Sequence, residues 1–105
     1  MFIIISSNNN LFADNSDEIK RIVEGNKDAK ITIIAYESLT CGHCANFHKE
    51  VYPELKKEFI DKGLVKIEFR NFPLDMAALN ASKIAHCKND GDSNLLHILF
   101  RNQKK

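Results

Sequence analysis

The chain has 105 residues, with 15 Lys and Arg against 14 Asp and Glu, a net charge of +1, 44% apolar and 28% charged side chains. These proportions exclude a collagenous or wholly disordered chain and fit one globular domain. Near-neutrality argues against a nucleic-acid groove or a polybasic membrane patch. No apolar run, Phe2–Ile5 included, approaches the roughly 18 residues of a membrane-spanning helix. The three cysteines, Cys41, Cys44 and Cys87, are an odd number, so this is not a closed disulfide scaffold.

Residues 1–13 hint at an export signal without completing one. The apolar patch Phe2–Ile5 is short, the first basic residue is Lys20, and Ala13 is the one candidate cleavage position. A plain tail is the simpler reading, and a signal remnant the alternative. Ile19, Ile22 and Val23 fall at helical spacing before Gly25, so 16–24 reads as a short helical or extended segment.

The stretch from Lys30 to Tyr36 is β-branched and mostly apolar, the pattern of a strand covered on both faces. After Glu37–Thr40 comes Cys41-Gly42-His43-Cys44. The positions Cys44, Phe47, Val51, Leu55 and Phe59 predict one stripe of an amphipathic helix, bent at Pro53 and closed by Gly63. Leu64–Asn71 alternates apolar and charged residues, which predicts a second strand with one buried face. A helical crossover of this length makes the two strands parallel and the connection right-handed. Asp75 is placed to cap a third helix with Met76, Leu79, Lys83, Ile84 and Cys87 on its inner side. Asp92 or Ser93 opens a last helix carrying Leu95, Leu96, Leu99 and Phe100.

Disulfide exchange needs a thiol that ionises near neutral pH, whereas an ordinary cysteine titrates at about 8.5. Cys41 at a helix N-terminus meets free backbone N–H groups and the positive end of the dipole. The two intervening residues return Cys44 to disulfide distance one turn further in. Cys41 is therefore the expected nucleophile, Cys44 the resolving thiol, and His43 a further stabiliser of the thiolate. Gly42 leaves the sulfur open to a large substrate. Two alternatives use the same pair: an inert structural pair, or a zinc site of Cys41, Cys44 and His48 with His86 or Cys87. The adjacency of His86 and Cys87, which turns them to different helix faces, weighs against the zinc site.

Ile31–Phe59, with the pair inside it, resembles the thioredoxin superfamily. Phe69-Arg70-Asn71-Phe72-Pro73-Leu74-Asp75, the alanine-rich helix to Cys87, and His97-Ile98-Leu99-Phe100 resemble its DsbA-like branch. The Cys-Gly-His-Cys tetrapeptide is similar to that of protein disulfide isomerases. The resemblance implies a thioredoxin-like α/β fold with a helical insert and thiol–disulfide oxidoreductase activity in the periplasm. It further implies thiol- or disulfide-containing protein substrates, a redox partner protein and no cofactor beyond the cysteines. On this reading 1–24 is a tail or signal remnant, and 25–105 a partial thioredoxin-like domain with the insert from about 75.

Two departures from the family pattern follow. Ala35 stands where the superfamily commonly places a buried acid; Glu37 is either its substitute or a loop-end carboxylate, the second being preferred. No residue matches the family's cis-proline, since Pro73 follows bulky Phe72 at a strand exit. The chain thus reads as the front part of a longer enzyme, with a non-catalytic remnant as the rival reading and self-association through an open sheet edge as a consequence. Cys87 is expected to be a buried helix residue, or else the partner of a cysteine in the missing part. His48 is expected to cover a helix flank, and His86 and His97 to lie on helix surfaces or in the packing of the insert. The Lys56-Lys57 and Lys104-Lys105 pairs read as solvated faces.

Overall fold

The structure, a computed structural model, describes residues 18–103. The tail or signal reading of 1–13 and the Lys104-Lys105 pair lie outside the described residues. Within them the chain forms β1 (Ile22–Glu24), β2 (Ile31–Glu37), a helical run α1 over residues 42–60, β3 (Val65–Asn71), α2 (Met76–Ala85) and α3 (Asn94–Arg101). The sheet order is β1-β3-β2. β2 runs parallel to β3 from Ile31 opposite Val65 to Glu37 opposite Asn71, as the helical crossover demands. β1 pairs antiparallel with the other edge of β3, Ile22 opposite Phe69.

Of the two readings of the segment before Gly25, the extended one holds. The free edge of β3 supplies ladder hydrogen bonds, and Ile22 is fully buried while Ile19 points to water. Asn89, itself at φ 51°, pins the approach to β1: its Oδ1 accepts from Lys20 N at 2.7 Å and its Nδ2 donates to the Glu18 carbonyl at 3.0 Å. Gly25 then turns the chain at φ 111°, where a Cβ would lie 2.8 Å from the Val65 carbonyl oxygen.

Three packing expectations are corrected. β2 is an edge strand rather than one covered on both faces: Ile33, Ala35 and Glu37 turn inward, while Ile31, Ile34 and Tyr36 are exposed. The covered strand is β3, because among the described residues it alone has a neighbour on each side; Val65, Ile67, Glu68 and Phe69 are buried. In α1, α-helical Gly42–Asn46 and Tyr52–Leu55 alternate with π-helical Phe47–Val51 and Lys56–Ile60. Pro53 has no N–H to give to the preceding turn, and wide turns flank it. Each wide turn moves the inner stripe by one residue. Val51 and Phe59 therefore face out, and His48, Tyr52 and Ile60 take their places beside Cys44, Phe47 and Leu55.

The third correction concerns α2. Asp75 caps it as expected, accepting from Ala78 N at 2.8 Å, but Ala78, Ser82 and Ala85 face the core. Ser82 satisfies its hydroxyl on the Ala78 carbonyl, so the small face packs without an orphaned donor. Met76, Leu79, Ile84 and Cys87 are consequently exposed, against the expectation of a buried Cys87. His86 is half-buried with Nε2 against Asn71 Nδ2 at 3.1 Å, and this contact fixes the rotation of the helix. α3 follows its predicted pattern, with Leu96 and Phe100 in the core. Ser93 does not cap it; its hydroxyl turns to Glu24.

Glu24 binds three elements together. Its carboxylate accepts from Tyr52 of α1, from Ser93 and from His97 of α3. Burial alone drives its pKa up, but the bonds from His97, Ser93 and Tyr52 and the charge of His97 outweigh that, bringing it down to about 2. Burial and the same carboxylate push the Tyr52 phenol up. An unfolded glutamate titrates at about 4.3, so the Glu24 contribution is fully present above that pH and is lost as pH falls toward 2. Discounted for partial solvent screening, it is about 2 kcal/mol. Urea unfolding of Glu24→Gln should show this loss at pH 6 and a flatter acid limb between pH 4 and about 2. Parallel acid limbs for the two proteins would contradict the clamp.

Candidate active site

The cysteine pair sits where β2 hands over to α1. Cys41 is the N-cap, with extended φ −85° and ψ 121°, and its Sγ accepts from Cys44 N at 3.4 Å. Both thiols are half-buried and unpaired with each other. The Cys44 thiol, the Cys44 amide and the His43 amide all stabilise negative charge on Cys41 and hold its pKa below the ordinary cysteine value, against burial and the charge of Glu37. Cys44 is pushed the other way, chiefly by burial, with the proton it lends to Cys41 adding to the effect; the Ser38 amide opposes it. The pair is thus polarised into one acidic, accessible sulfur and one resistant inner sulfur, as the spacing predicted.

His43 contributes through its backbone amide, and its side chain is exposed. A Cβ on Gly42 would meet nothing within 4 Å, which leaves the approach to the sulfur open. The loop beneath is held from two other directions. Thr40 Oγ1 donates to the Asp75 carboxylate at 3.1 and 3.2 Å, and Ser38 Oγ accepts from Leu74 N at 3.3 Å. Gln103 Nε2 donates to the Leu39 carbonyl at 2.9 Å and the Cys41 carbonyl at 3.2 Å. None of these ties was foreseen, since partners so distant in sequence leave no local pattern.

Two further residues correct the expectations. Glu37 is a buried carboxylate, not a loop-end one, because β2 turns it to the same inner side as Ala35. His48 does not cover a flank: its side chain is only 6% exposed, and Nε2 lies 2.9 and 2.8 Å from the two carboxylate oxygens of Glu37. Its ring stacks on Phe100 at 4.1 Å between centroids and meets His97 edge-on at 5.3 Å. His48 Nδ1 is buried without a partner. Nε2 is therefore the ring nitrogen that donates to the Glu37 carboxylate. The i, i+4 series Cys44, His48, Tyr52 was the available signal for this inner line. His97, expected at a surface or in insert packing, is half-buried and bonded to Glu24 of β1.

The proposed zinc ligands are not brought together. His48 is engaged by Glu37, His86 by Asn71, and Cys87 faces water. Among the described residues no three His, Cys, Asp or Glu side chains are grouped to hold a metal.

Comparison with known proteins agrees with this geometry. Residues 17–105 match the family model described as Thioredoxin. The chain is 41% identical over 86 residues to a Rickettsia bellii protein named as a protein-disulfide oxidoreductase, covering 80% of this chain and 33% of that one. It is 39% identical over 49 residues to disulfide bond formation protein D of Bacillus subtilis, covering 47% of this chain and 22% of the relative. Among solved structures, Wolbachia pipientis alpha-DsbA1 superposes with a TM-score of 0.73 at 34% identity, over 90% of this chain and 47% of that one. The chain belongs to the thioredoxin superfamily, in its DsbA-like branch. It spans about a third of the length of the first curated relatives it matches.

The polarised pair gives a direct test. Followed by ultraviolet thiolate absorbance against pH, the protein should show one step well below the ordinary cysteine range. Cys41→Ser should abolish that step, and Cys44→Ser should leave it in place but shifted upward. A single step at the ordinary value would contradict the helix-terminus arrangement.

Proposed function

We propose that the chain exchanges thiols and disulfides with protein substrates through Cys41 and Cys44. The carrying observation is Cys41 at the N-cap of α1, its Sγ accepting from Cys44 N at 3.4 Å, an arrangement that lowers the Cys41 pKa while burial raises that of Cys44. In the reducing direction, Cys41 thiolate attacks one sulfur of a substrate disulfide, forming a mixed disulfide and releasing a substrate thiolate. Cys44 then loses its proton and attacks Cys41 Sγ. This forms the Cys41–Cys44 disulfide and releases the second substrate thiolate, two electrons having passed to the substrate. In the oxidising direction the same steps run backwards, and a redox partner protein re-oxidises the pair.

Glu37 is the proposed acceptor of the Cys44 proton. Its charge is felt by both thiols, and the His48 ring holds it in place by hydrogen bonding. His43 lies at the mouth and supports the attacking thiolate through its amide. The likeness to disulfide bond formation proteins supports an exported, periplasmic setting. The exposed β2 edge and the exposed Met76, Leu79 and Ile84 of α2 support self-association of this chain.

Stopped-flow mixing with a disulfide peptide tests the scheme. Cys41→Ser should abolish the reaction, and Cys44→Ser should stall at a stable mixed disulfide. Glu37→Gln should slow the second step on the order of a hundredfold near neutral pH while sparing the first. Full activity in Cys41→Ser would end this reading.

A further inference from the structure

Alongside the cysteine pair, α1 and α3 enclose an open groove of about 1300 Å³ that begins at Gly42 and His43 and runs down α1 to Lys56. No acidic residue lines it, although the chain as a whole carries 15 Lys and Arg against 14 Asp and Glu. The two carboxylates beneath its floor are already engaged, Glu37 by His48 and Glu24 by His97. Lys56, at the far end, is paired with Asp61. Lys49 of α1 and Arg101 of α3 both line the groove, are exposed and have no ion-pair partner among the described residues. Pro53 and Ile98 add apolar wall, and Ile98 is 42% exposed.

We infer that this groove docks the polypeptide flanking the exchanged disulfide and favours a flank with acidic side chains among apolar ones. The inference rests on the proposed exchange activity and adds a substrate preference to it. From Gly42 to Lys56 a helix rises roughly 20 Å, the length of about six extended residues. A chain whose cysteine sits at Cys41 would therefore lay its neighbouring residues between Lys49 and Arg101. A nucleic acid fits less well. Two unpaired cations neutralise few phosphates, and the His48 and Phe100 rings of the floor are buried, so they offer no free face to a base.

The test uses the whole chain and cysteine-free, fluorescently labelled six-residue peptides, so that binding is read without redox chemistry. An acidic–apolar peptide should bind at least about tenfold tighter than its lysine counterpart and weaken with added salt. Lys49→Glu with Arg101→Glu should remove that preference. Lys57→Glu with Lys83→Glu, the same charge change at exposed positions outside the groove, should leave it intact. In exchange assays, the Lys49→Glu/Arg101→Glu protein should react normally with a small symmetrical disulfide but lose its preference for an acidic-flanked peptide disulfide. Equal binding of acidic and basic peptides overturns the inference, as does equal loss in the control pair or equally tight binding of an oligothymidylate. Peptide selectivity without any disulfide exchange would leave the groove standing and remove the proposed activity instead.

Discussion

The carboxylate of Glu24 lies at the end of the shortest strand, yet two helices are oriented by it. A carboxylate taken out of water and left unpaired would cost several kcal/mol, so its position dictates where donors must be. Tyr52 answers from α1, His97 from α3 and Ser93 from the turn before it. Once His97 is fixed there, its ring meets His48 and Phe69 edge-on, and His48 completes a stack with Phe100. The imidazole that holds Glu37 beneath the cysteines is therefore positioned by a carboxylate at the far edge of the sheet. The line from Glu24 through His97 and His48 to Glu37 joins the stability of the fold to the electrostatics of the site.

The difference between the two sulfurs comes from the same local geometry. Free amides at the start of α1 converge on Cys41, while one turn inward Cys44 loses water without gaining a comparable set of donors. The acidic carboxylate opposes ionisation of both thiols, which leaves the helix terminus to decide between them. Asp75, Leu74 and Gln103 hold the loop at its sides, so the N-cap geometry does not depend on the cysteines being joined.

Much of this was legible in the sequence wherever a pattern is local. The strand, cysteine pair, helix and strand were readable from β-branching, spacing and alternation, and the Asp75 cap from its position before an alanine-rich run. The tetrapeptide at a strand-to-helix junction was enough to place Cys41 at the start of the helix and Cys44 one turn further in. What escaped depended on partners distant in sequence. The wide turns around Pro53 shifted the helix stripe by a residue at a time, moving His48 and Tyr52 inward and Val51 outward. The small face of α2 won the core because α3 approaches closely there, leaving Met76 and Leu79 outside although they are the more apolar. β2 has the composition of a central strand but lies at an edge, since sheet order is set by what pairs with β3 and not by β2 itself.

The Asn89 contacts to Lys20 and Glu18 and the Glu24 contacts to Ser93 and His97 span sequence separations of 69 to 73 residues. Loops of that size close late, because their entropy is lost before any contact repays it. β1 can pair with β3 as soon as β3 is in place, but the side chains that secure its two ends come from Asn89, from the turn before α3 and from α3 itself. The parallel β2–α1–β3 unit can assemble while β1 is still unfastened. Among the described strands β1 is thus a closing latch in folding time, secured at both ends only when Asn89, Ser93 and His97 reach it.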